Sequence, residues 1–467
     1  MATEDRLVIG LDSSTQSTKA IAWSSGGELI AETRADIPMN ASVKEQFEQD
    51  PEDWWGTACS TLKSLCETID PRRIDGLAIS NQRETLGFFD DDLNAVHPAM
   101  VWLDNRALNE VGEVAKKIGA DRFHAINGKP VDILPGYSRL LWLNKNRADV
   151  MQRCRKVCDV NTYLSAKLTG EWIASWASAD PSGVFDIEKK QWSDEVLDAI
   201  GLTRQHFAET VAPGTLIGKV TEHAASQTGL PEGLKIYAGG GDGQCAGLGV
   251  NAVNNARVYL NLGTAIIVGV SAQTPNISMS WRTMTSPTGK GYFLEGVMRA
   301  GTYFMDWFVE NYVEKNATPA SHMKLQEMAQ SIPIGTDGLL VCPFLSGCMN
   351  PFWDMNAKAA FFGVSPSHDA AHLYRGAMEG FTGEIARCIF EMQRRGLQID
   401  EIVAVGGGAN SPLWRQMLVD ATDIPLTMSK SLEASSLGAG MIAAVGAGWF
   451  ETFGEAAKAM SADGETY

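Results

Sequence analysis

Short apolar runs alternate with longer amphipathic stretches along this chain, and that alternation is typical of α/β proteins. Residues 7–11 form a buried-strand pattern that ends in Asp12, and a second apolar run follows at residues 20–23. The polar segment between these runs is short, so they predict a β-hairpin whose tip carries hydroxyl groups and a lysine. Residues 74–80 form another buried strand, and a polar segment follows it directly.

The clearest helix signal begins at Asp50, which can cap an amino terminus. Pro51 suits the first helical position, and the two acids that follow favour the positive end of the helix dipole. We therefore expect a helix from residue 51 to the neighbourhood of Ile69. Another helix is expected at residues 413–421.

The second half of the chain repeats the layout of the first half. Two apolar strands flank a small polar turn within residues 257–270, as they do within residues 7–24. A strand at residues 402–405 then runs into a polar motif, as the strand at residues 74–80 does. This duplication predicts two similar domains that face each other across a cleft, with a hydroxyl-rich hairpin on each side. Such a cleft would hold the phosphate chain of a nucleotide.

Residues 238–245, Ala-Gly-Gly-Gly-Asp-Gly-Gln-Cys, lie close to the boundary between these halves. Glycine lets the backbone and a ligand approach closely, so the run predicts a tight place at the floor of the cleft. A carboxylate there can act as a general base, which makes Asp242 the candidate catalytic residue. The alternative interpretation of the same run is a glycine-rich turn with a solvated acid.

Polar residues also follow the strands of the first half. Ligands of open α/β sheets bind beyond the carboxyl ends of strands, where residues 81–84 are expected. The adjacent Arg83 and Glu84 can grip several hydroxyl groups, since a guanidinium donates and a carboxylate accepts hydrogen bonds. A surface ion pair is the alternative.

At the end of the first strand, Asp12 suits Mg²⁺ bound through water, and the hairpin tip suits phosphate oxygens.

Composition narrows the range of partners. The 467-residue chain is natural for two domains, and its 45% of apolar residues suffices for sizeable cores. A formal net charge of −17 argues against nucleic acid, because phosphate backbones attract surplus lysine and arginine. The acidic start of the chain does not resemble a signal peptide, and no apolar segment reaches the ~18 residues of a membrane span. We expect a cytoplasmic protein with a small-molecule substrate and no membrane partner.

Several motifs resemble the FGGY family of carbohydrate kinases, and the resemblance extends over nearly the whole chain. Residues 406–417, Gly-Gly-Gly-Ala-Asn-Ser-Pro-Leu-Trp-Arg-Gln-Met, look like the carboxy-terminal signature of the family, and strongly like that of xylulokinases. Further matches lie at residues 46–55, 140–143, 239–242 and 436–439. By contrast, residues 81–84, Asn-Gln-Arg-Glu, look like the segment with which glycerol kinases bind polyol hydroxyls.

The resemblance implies an α/β fold of two ribonuclease H-like domains, as in actin, Hsp70 and sugar kinases, with an interdomain cleft. Residues 1–245 would form the amino-terminal domain on the sugar-binding side, and residues 246–467 the carboxy-terminal domain on the nucleotide-binding side. The implied cofactors are ATP and Mg²⁺. Because family members are often dimers or tetramers, the resemblance also points to a homodimer.

The resemblance further implies a function for each candidate residue. Asp242 would take the proton of the attacking hydroxyl, and Asp12 would organise Mg²⁺. The substrate would be bound by Arg83, Glu84, Asp242, Gln244 and Tyr137. The nucleotide would be bound by Ser14, Thr15, Gln16 and Lys19 from one side and by Gly263, Thr264, Gly407, Gly408, Ala409 and Asn410 from the other.

The chain departs from the family in three places that bear on the substrate. Ser13-Ser14 follows the first acid where the family usually has glycine, residues 81–85 stand where bacterial xylulokinases usually have Gln-Met-His-Gly, and Gly243 follows Asp242. Gly243 intervenes between the acid and a glutamine that follows it directly in glycerol kinases.

Two further differences concern Tyr137 and Arg139. Tyr137 lies near the position of the glycerol-binding tyrosine of glycerol kinases, although an ungapped match puts Leu134 there. Arg139 stands where the family usually has lysine. The chain thus combines a xylulokinase-like frame with a glycerol-kinase-like hydroxyl clamp.

We therefore expect an ATP-dependent kinase that phosphorylates a terminal hydroxyl of a ketopentose. The first alternative is a kinase of a small linear polyol, such as glycerol or a tetritol, which residues 81–84 favour. A remote alternative is an ATPase of the actin or Hsp70 type, which shares the fold but needs neither a hydroxyl clamp nor Asp242. A dinucleotide-dependent oxidoreductase is set aside, because no Gly-x-Gly-x-x-Gly follows the first strand.

Overall fold

The computed structural model describes residues 6–253 and 256–467. Residues 1–5, part of the acidic start interpreted above, and residues 254–255 lie outside the described residues. The strands are, in chain order, β1 Leu7–Ser13, β2 Ser17–Trp23, β3 Leu29–Asp36, β4 Glu48–Gln49, β5 Ile74–Asn81, β6 Leu86–Phe89, β7 Ala95–Met100, β8 Lys156–Cys158, β9 Ile173–Ser175, β10 Phe185–Asp186, β11 Gln191–Trp192, β12 Glu209–Val211, β13 Leu216–Lys219, β14 Lys235–Gly241, β15 Arg257–Leu262, β16 Ile266–Ala272, β17 Arg282–Thr285, β18 Tyr292–Met298, β19 Leu340–Cys342, β20 Ala360–Phe362, β21 Glu401–Val405, β22 Leu426–Ser429 and β23 Asp463–Thr466.

The α-helices are, in chain order, α1 Pro51–Thr68, α2 Val111–Ile118, α3 Ala120–Asn127, α4 Tyr137–Asn146, α5 Ala148–Met151, α6 Val160–Thr169, α7 Trp176–Ala179, α8 Asp194–Ile200, α9 Glu222–Thr228, α10 Asp242–Gly249, α11 Thr302–Tyr312, α12 Pro319–Gln330, α13 Ala370–Arg394, α14 Pro412–Thr422, α15 Ala434–Gly446 and α16 Phe453–Met460. The predicted helix at residue 51 is α1, and the side chain of Asp50 caps it by accepting from the Glu52 amide at 3.0 Å. The predicted helix at residues 413–421 is α14, which Ser411 caps.

The first half of the chain builds a six-stranded sheet in the order β13-β14-β5-β1-β2-β3. The predicted hairpin is β1 and β2, which pair antiparallel, while β5 lies parallel to β1 on its other side and β14 lies parallel to β5. Helix α1 packs on this sheet, and their shared core includes Ile9, Trp54 and Leu62. The central strands are buried along nearly their whole length, which explains their continuous apolar pattern.

The second half builds a seven-stranded sheet in the order β17-β18-β16-β15-β21-β22-β23. Its hairpin is β15 and β16, with β21 parallel to β15 and β22 parallel to β21. The same sequence of pairings therefore occurs in both sheets, down to an antiparallel edge strand beside the last parallel one, β13 in the first and β23 in the second. The predicted duplication and the two-domain α/β fold are confirmed.

The first half also contains a module that the sequence pattern did not predict. Strands β4, β7, β6 and β8 form a separate four-stranded sheet, which packs with α2, α3, α4 and α8 around its own apolar core. Phe88, Phe123 and Leu140 are among its buried residues. The module lies largely between β5 and β14 in the chain, and it supplies one wall of the cleft described below.

Helix α15 joins the two halves, because it comes from the second half but packs against β1, β5 and α10 of the first. A Cβ atom on Gly438 would lie 1.9 Å from the carbonyl oxygen of Cys245, so only glycine allows this approach. The indole of Trp23 donates to the hydroxyl of Ser436 at 3.1 Å across the same contact. The domain division between residues 245 and 246 falls inside α10 and stays a prediction.

Within the described ranges, no helix combines the length and the apolar character that crossing a membrane requires.

Candidate active site

The carboxyl ends of adjacent parallel strands bring the two candidate acids together. In the register of the first sheet, Asp12 of β1 lies beside Ser80 of β5, and Gly241 of β14 lies beside Asn81 of β5. Asp242 follows Gly241 directly as the first residue of α10. The edge at which ligands of such sheets bind therefore carries both acids.

Asp242 is held in place by two donors to one of its oxygens. Its Oδ1 accepts from the backbone amide of Gly243 at 2.7 Å and lies 2.8 Å from Nε of Arg83. The side chain of Asp242 is 38% exposed, whereas that of Arg83 is only 7% exposed. A carboxylate at a helix amino terminus is favoured by the helix dipole. One oxygen of Asp242 is thus held by two donors, while the side chain stays partly exposed.

Arg83 and Glu84 belong to a chain of buried ion pairs. Nη1 of Arg83 lies 2.8 Å from Oε2 of Glu295, and Nη1 of Arg282 donates to Oε1 of Glu84 at 2.6 Å. Nη2 of Arg282 binds the other oxygen of Glu295, which completes the series Asp242, Arg83, Glu295, Arg282 and Glu84. Arg83 and Glu84 therefore lie at the cleft, but both side chains are already fixed by charged partners. Their binding of hydroxyl groups stays a prediction.

The pKa values in this chain of ion pairs follow from burial and charge. Burial by itself would raise the pKa of Glu295, but the guanidiniums of Arg83 and Arg282 outweigh it and hold that pKa at about 2. At Glu84, burial prevails and raises the pKa of the carboxyl, although Arg282 and Arg83 oppose it. A buried charge is tolerated only when it is paired, so Glu295 depends on its two arginines.

Gly243 has a steric reason to be glycine. A Cβ atom there would lie 2.7 Å from Oε2 of Glu295 and 2.8 Å from Nη2 of Arg83. The departure from the glycerol-kinase pattern noted in the sequence is thus coupled to the Arg83–Glu295 pair.

A cavity of about 420 Å³ lies in front of Asp242. Its walls come from both halves of the chain: Arg83, Glu84, Trp102 and Leu134 belong to the first, and Thr264, Arg282, Val297, Arg299 and Met349 to the second. The stretch at residues 349–354, Met-Asn-Pro-Phe-Trp-Asp, therefore begins at this cavity. Its volume lies within the range of small-molecule sites.

Asp12 is half-buried at the end of β1. Its Oδ1 accepts from the hydroxyl of Ser80 at 2.7 Å. Burial raises the pKa of Asp12 to about 7, the Ser80 hydrogen bond opposes this, and the negative charge of Asp242 adds to it. Two carboxyl groups that disfavour each other's charge suit a cation with oxygen ligands.

Across residues 6–253 and 256–467, no cluster of three or more His, Cys, Asp and Glu side chains suits a metal ion. Mg²⁺ nevertheless fits the place beside Asp12, because it commonly takes one or two carboxylates and completes its shell with water and phosphate.

The residues of the hairpin tip differ in whether they line the cavity. Thr15 lines the cavity, and its hydroxyl accepts from the indole of Trp102 at 2.8 Å. The hydroxyl of Ser14 turns back to the carbonyl of Ser17 at 2.8 Å, and Gln16 is exposed. Lys19 donates to both carboxylate oxygens of Glu433, each at 2.6 Å, and so links β2 to the start of α15.

The predicted nucleotide segments of the second half follow two adjacent parallel strands. Gly263 and Thr264 form the turn after β15, where their carbonyls accept from the amides of Thr302 at 2.9 Å and Gly301 at 2.7 Å. Residues 407–410 form a short 3₁₀ turn after β21. In this turn Gly407 and Asn410 are exposed, Gly408 is half-buried and Ala409 is buried. Thr264 reaches the cavity itself.

Two predicted substrate ligands do not line the cavity. Tyr137 is fully buried, and its hydroxyl donates to the carbonyls of Val111 at 2.9 Å and Asp132 at 3.1 Å. Gln244 is also fully buried, and its amide donates to the carbonyl of Ala177 at 3.0 Å. Leu134, the residue of the ungapped match, lines the cavity instead. The geometry gives no support to Tyr137 and Gln244 as ligands, and those functions stay untested predictions.

The sequence did not single out Glu295 and Arg282, because both lie about two hundred residues from the Arg83–Glu84 segment and no local pattern connects them. Arg139 was noticed only as a departure from the family. Its guanidinium donates to the carbonyls of Glu84 at 2.7 Å, Leu134 at 2.9 Å and Ile133 at 3.1 Å. The planar fork of arginine suits several acceptors at once, so Arg139 fixes the loop that presents Glu84.

Comparison with known proteins agrees with this architecture. The amino-terminal domain of the FGGY family of carbohydrate kinases matches residues 7–249, and the carboxy-terminal domain of that family matches residues 258–447. The xylulose kinase of Bacillus subtilis (strain 168) is 27% identical over 459 residues, covering 97% of this chain and 91% of that protein. The gluconokinase of the same organism is 23% identical over 454 residues, covering 96% and 88%.

The fold is also that of a solved relative. The crystal structure of xylulose kinase from Rhodospirillum rubrum superposes with a TM-score of 0.93 at 25% sequence identity, covering 99% of this chain and 94% of that one. With two domain matches that extend from residue 7 to residue 447, the chain belongs to the FGGY family of carbohydrate kinases, which are ATP-using phosphotransferases with an alcohol group as acceptor.

Proposed function

We propose that this protein transfers the γ-phosphoryl group of ATP to a terminal hydroxyl of a ketopentose, as a xylulokinase does. The observation that carries the proposal is the position of Asp242, whose carboxylate is fixed by Gly243 and Arg83 and faces a cavity of about 420 Å³ between the halves. The similarity to xylulose kinases over nearly the whole chain supports the choice of a ketopentose.

In this proposal Asp242 is the general base. Both donors described above bind its Oδ1, so we assign Oδ2 to the proton of the substrate hydroxyl. Loss of that proton makes the hydroxyl oxygen a better nucleophile as phosphoryl transfer proceeds. Arg83 keeps the carboxylate in one orientation, which preserves the alignment of base and acceptor.

The opposite side of the cavity would receive the phosphate chain. Thr15 and Thr264 line it from the two hairpin turns, and Lys19 lies on the strand that follows the first turn. Asp12 would hold Mg²⁺, which supplies neutralisation of phosphate charge. A site enclosed by both halves would also exclude water and so suppress hydrolysis of ATP.

A small linear polyol is the second candidate acceptor. The presence of Arg83 and Glu84 at the cavity favours it, since their remaining donors and acceptors can meet vicinal hydroxyls.

A coupled assay of ADP release tests both candidates. The panel contains xylulose, ribulose, glycerol, erythritol and gluconate at equal concentrations, with a reaction lacking any acceptor as the background. The proposal expects the highest kcat/KM for a ketopentose. A higher value for glycerol or erythritol would select the polyol alternative, and turnover at the background rate with every acceptor would contradict the proposed function.

A further inference from the structure

Arg299 differs from the other arginines of the cavity. Three arginines line this space, namely Arg83, Arg282 and Arg299. The first two form the buried ion pairs described above. In the part of the chain that the structure describes, no carboxylate lies within ion-pair distance of Arg299. Its one hydrogen bond there goes from Nη1 to the thioether sulfur of Met355 at 2.9 Å.

The acids near the cavity are already paired with other arginines. Asp242 is bound by Arg83, Glu84 is bound by Arg282, and Glu295 is shared between the same two arginines. Burial lowers the pKa of Arg299, and the more distant charge of Asp132 only partly opposes this. A guanidinium nevertheless stays charged in proteins, and a thioether is a weak acceptor. The positive charge of Arg299 is therefore left for a ligand.

Arg299 lies next to the segment that contacts the turn after β15, on the side of the cleft where the phosphate chain would bind. Arg299 directly follows β18, and the next residues are anchored to the turn after β15, where the amide of Gly301 donates to the carbonyl of Thr264 at 2.7 Å. Its side chain lines the same cavity as Asp242 and Thr264. The charge thus stands in the chamber in which the acceptor hydroxyl and the phosphoryl group would meet.

We propose that Arg299 forms an oxyanion subsite in this cavity. A planar guanidinium binds carboxylate or phosphoryl oxygens in pairs, and either group would give Arg299 a charged partner. The oxyanion has two possible sources, the carboxylate of a sugar acid or the phosphoryl group during and after transfer. The inference rests on the proposed function in that the acceptor occupies this cavity.

Isothermal titration without nucleotide, combined with kinetics, tests the subsite. The probes are xylonate, xylulose, xylulose 5-phosphate and inorganic phosphate. Arg299→Met removes the charge at similar length, and Arg299→Lys keeps the charge but loses the fork. Arg122→Met, which removes an exposed arginine paired with Glu195, is the matched control. Melting temperatures identify any variant that does not fold, and Arg299→Lys then carries the comparison.

If the oxyanion is a substrate carboxylate, Arg299→Met weakens xylonate binding at least tenfold and leaves xylulose binding unchanged. If it is the phosphoryl group, Arg299→Met weakens xylulose 5-phosphate binding at least tenfold and lowers kcat for xylulose with an unchanged KM. Changes below twofold in the binding of all three anionic probes and in kcat would overturn the subsite. Arg299-dependent binding of an anionic probe, together with background turnover on every acceptor, would retain the subsite and reject the proposed function.

Discussion

At the scale of single residues, the proposed chemistry depends on the carboxylate of Asp242. Replacing it by asparagine keeps the size of the side chain and removes the base, so kcat should fall by about 10²–10⁴-fold. Titration calorimetry should show that the binding of ATP and of the acceptor changes little. Asp194→Asn, at an exposed ion pair with Arg204, is the control. Near-normal turnover of Asp242→Asn would exclude Asp242 as the base.

Arg83 has a structural task as well as a proposed binding task. Arg83→Ala would leave the fully buried Glu295 with only one of its two arginines. Removing one partner of a buried ion pair typically costs about 3–5 kcal/mol, so urea denaturation should show a loss of that order in addition to weaker acceptor binding. Arg72→Ala, at an exposed pair with Asp70, should leave the stability nearly unchanged, because exposed ion pairs are screened by water. Equal stabilities of the two variants would contradict the buried network.

The raised pKa of Asp12 predicts that the stability of the protein depends on pH. Burial raises its pKa from 3.8 to about 7 in the folded protein. A carboxyl with a raised pKa stabilises the fold below its unfolded pKa, and that stabilisation is lost as the pH rises through the folded value. The unfolding free energy of the protein in chelator should therefore decline between about pH 4 and about pH 7 more steeply than that of Asp12→Asn. Parallel urea titrations of both proteins measure the difference, and identical slopes would refute it.

At the scale of elements, the contact of α15 with α10 depends on glycine. Gly438→Ala would place a Cβ atom 1.9 Å from the carbonyl oxygen of Cys245, so one helix must move. Overpacking of this kind costs about 1–3 kcal/mol, which thermal or urea denaturation can measure. Gly383→Ala on α13 is the matched control, since its Cβ would meet no atom within 4 Å. The control should be neutral or slightly stabilising, because alanine favours helices.

Helix α1 and the module of β4 and β6–β8 show which elements local sequence patterns can predict and which they cannot. The helix at α1 was predictable because its cap, its first-turn proline and its acids are neighbours in sequence. The module of β4 and β6–β8 was not, because these strands are short and β4 and β8 pair with partners dozens of residues away. Trp102, which lies in a segment beside that module, was missed as a cavity residue for the same reason.

At the scale of the whole molecule, the two halves share a buried core. Val8, Ile21 and Trp23 of the first half pack with Leu437 and Met441 of α15. A fragment of residues 1–249 should therefore expose apolar surface, bind a hydrophobic dye and unfold with little cooperativity. Co-expression with residues 250–467 should restore one cooperative transition and low dye binding. A fragment that unfolds as cooperatively as the full chain would show that α15 is not needed for the fold of the first half.

The sequence by itself determined the internal repeat, the strand that ends in Asp12, the glycine run before Asp242, and the family, because buried strands, caps and glycine runs are formed by neighbouring residues. Tertiary structure decided what those residues contact. It paired Arg83 with Glu295 and buried Tyr137 in the core. It also left Arg299 without a carboxylate partner among the described residues. Such pairings join strands far apart in the chain, and their strength depends on burial and distance, which no local pattern specifies.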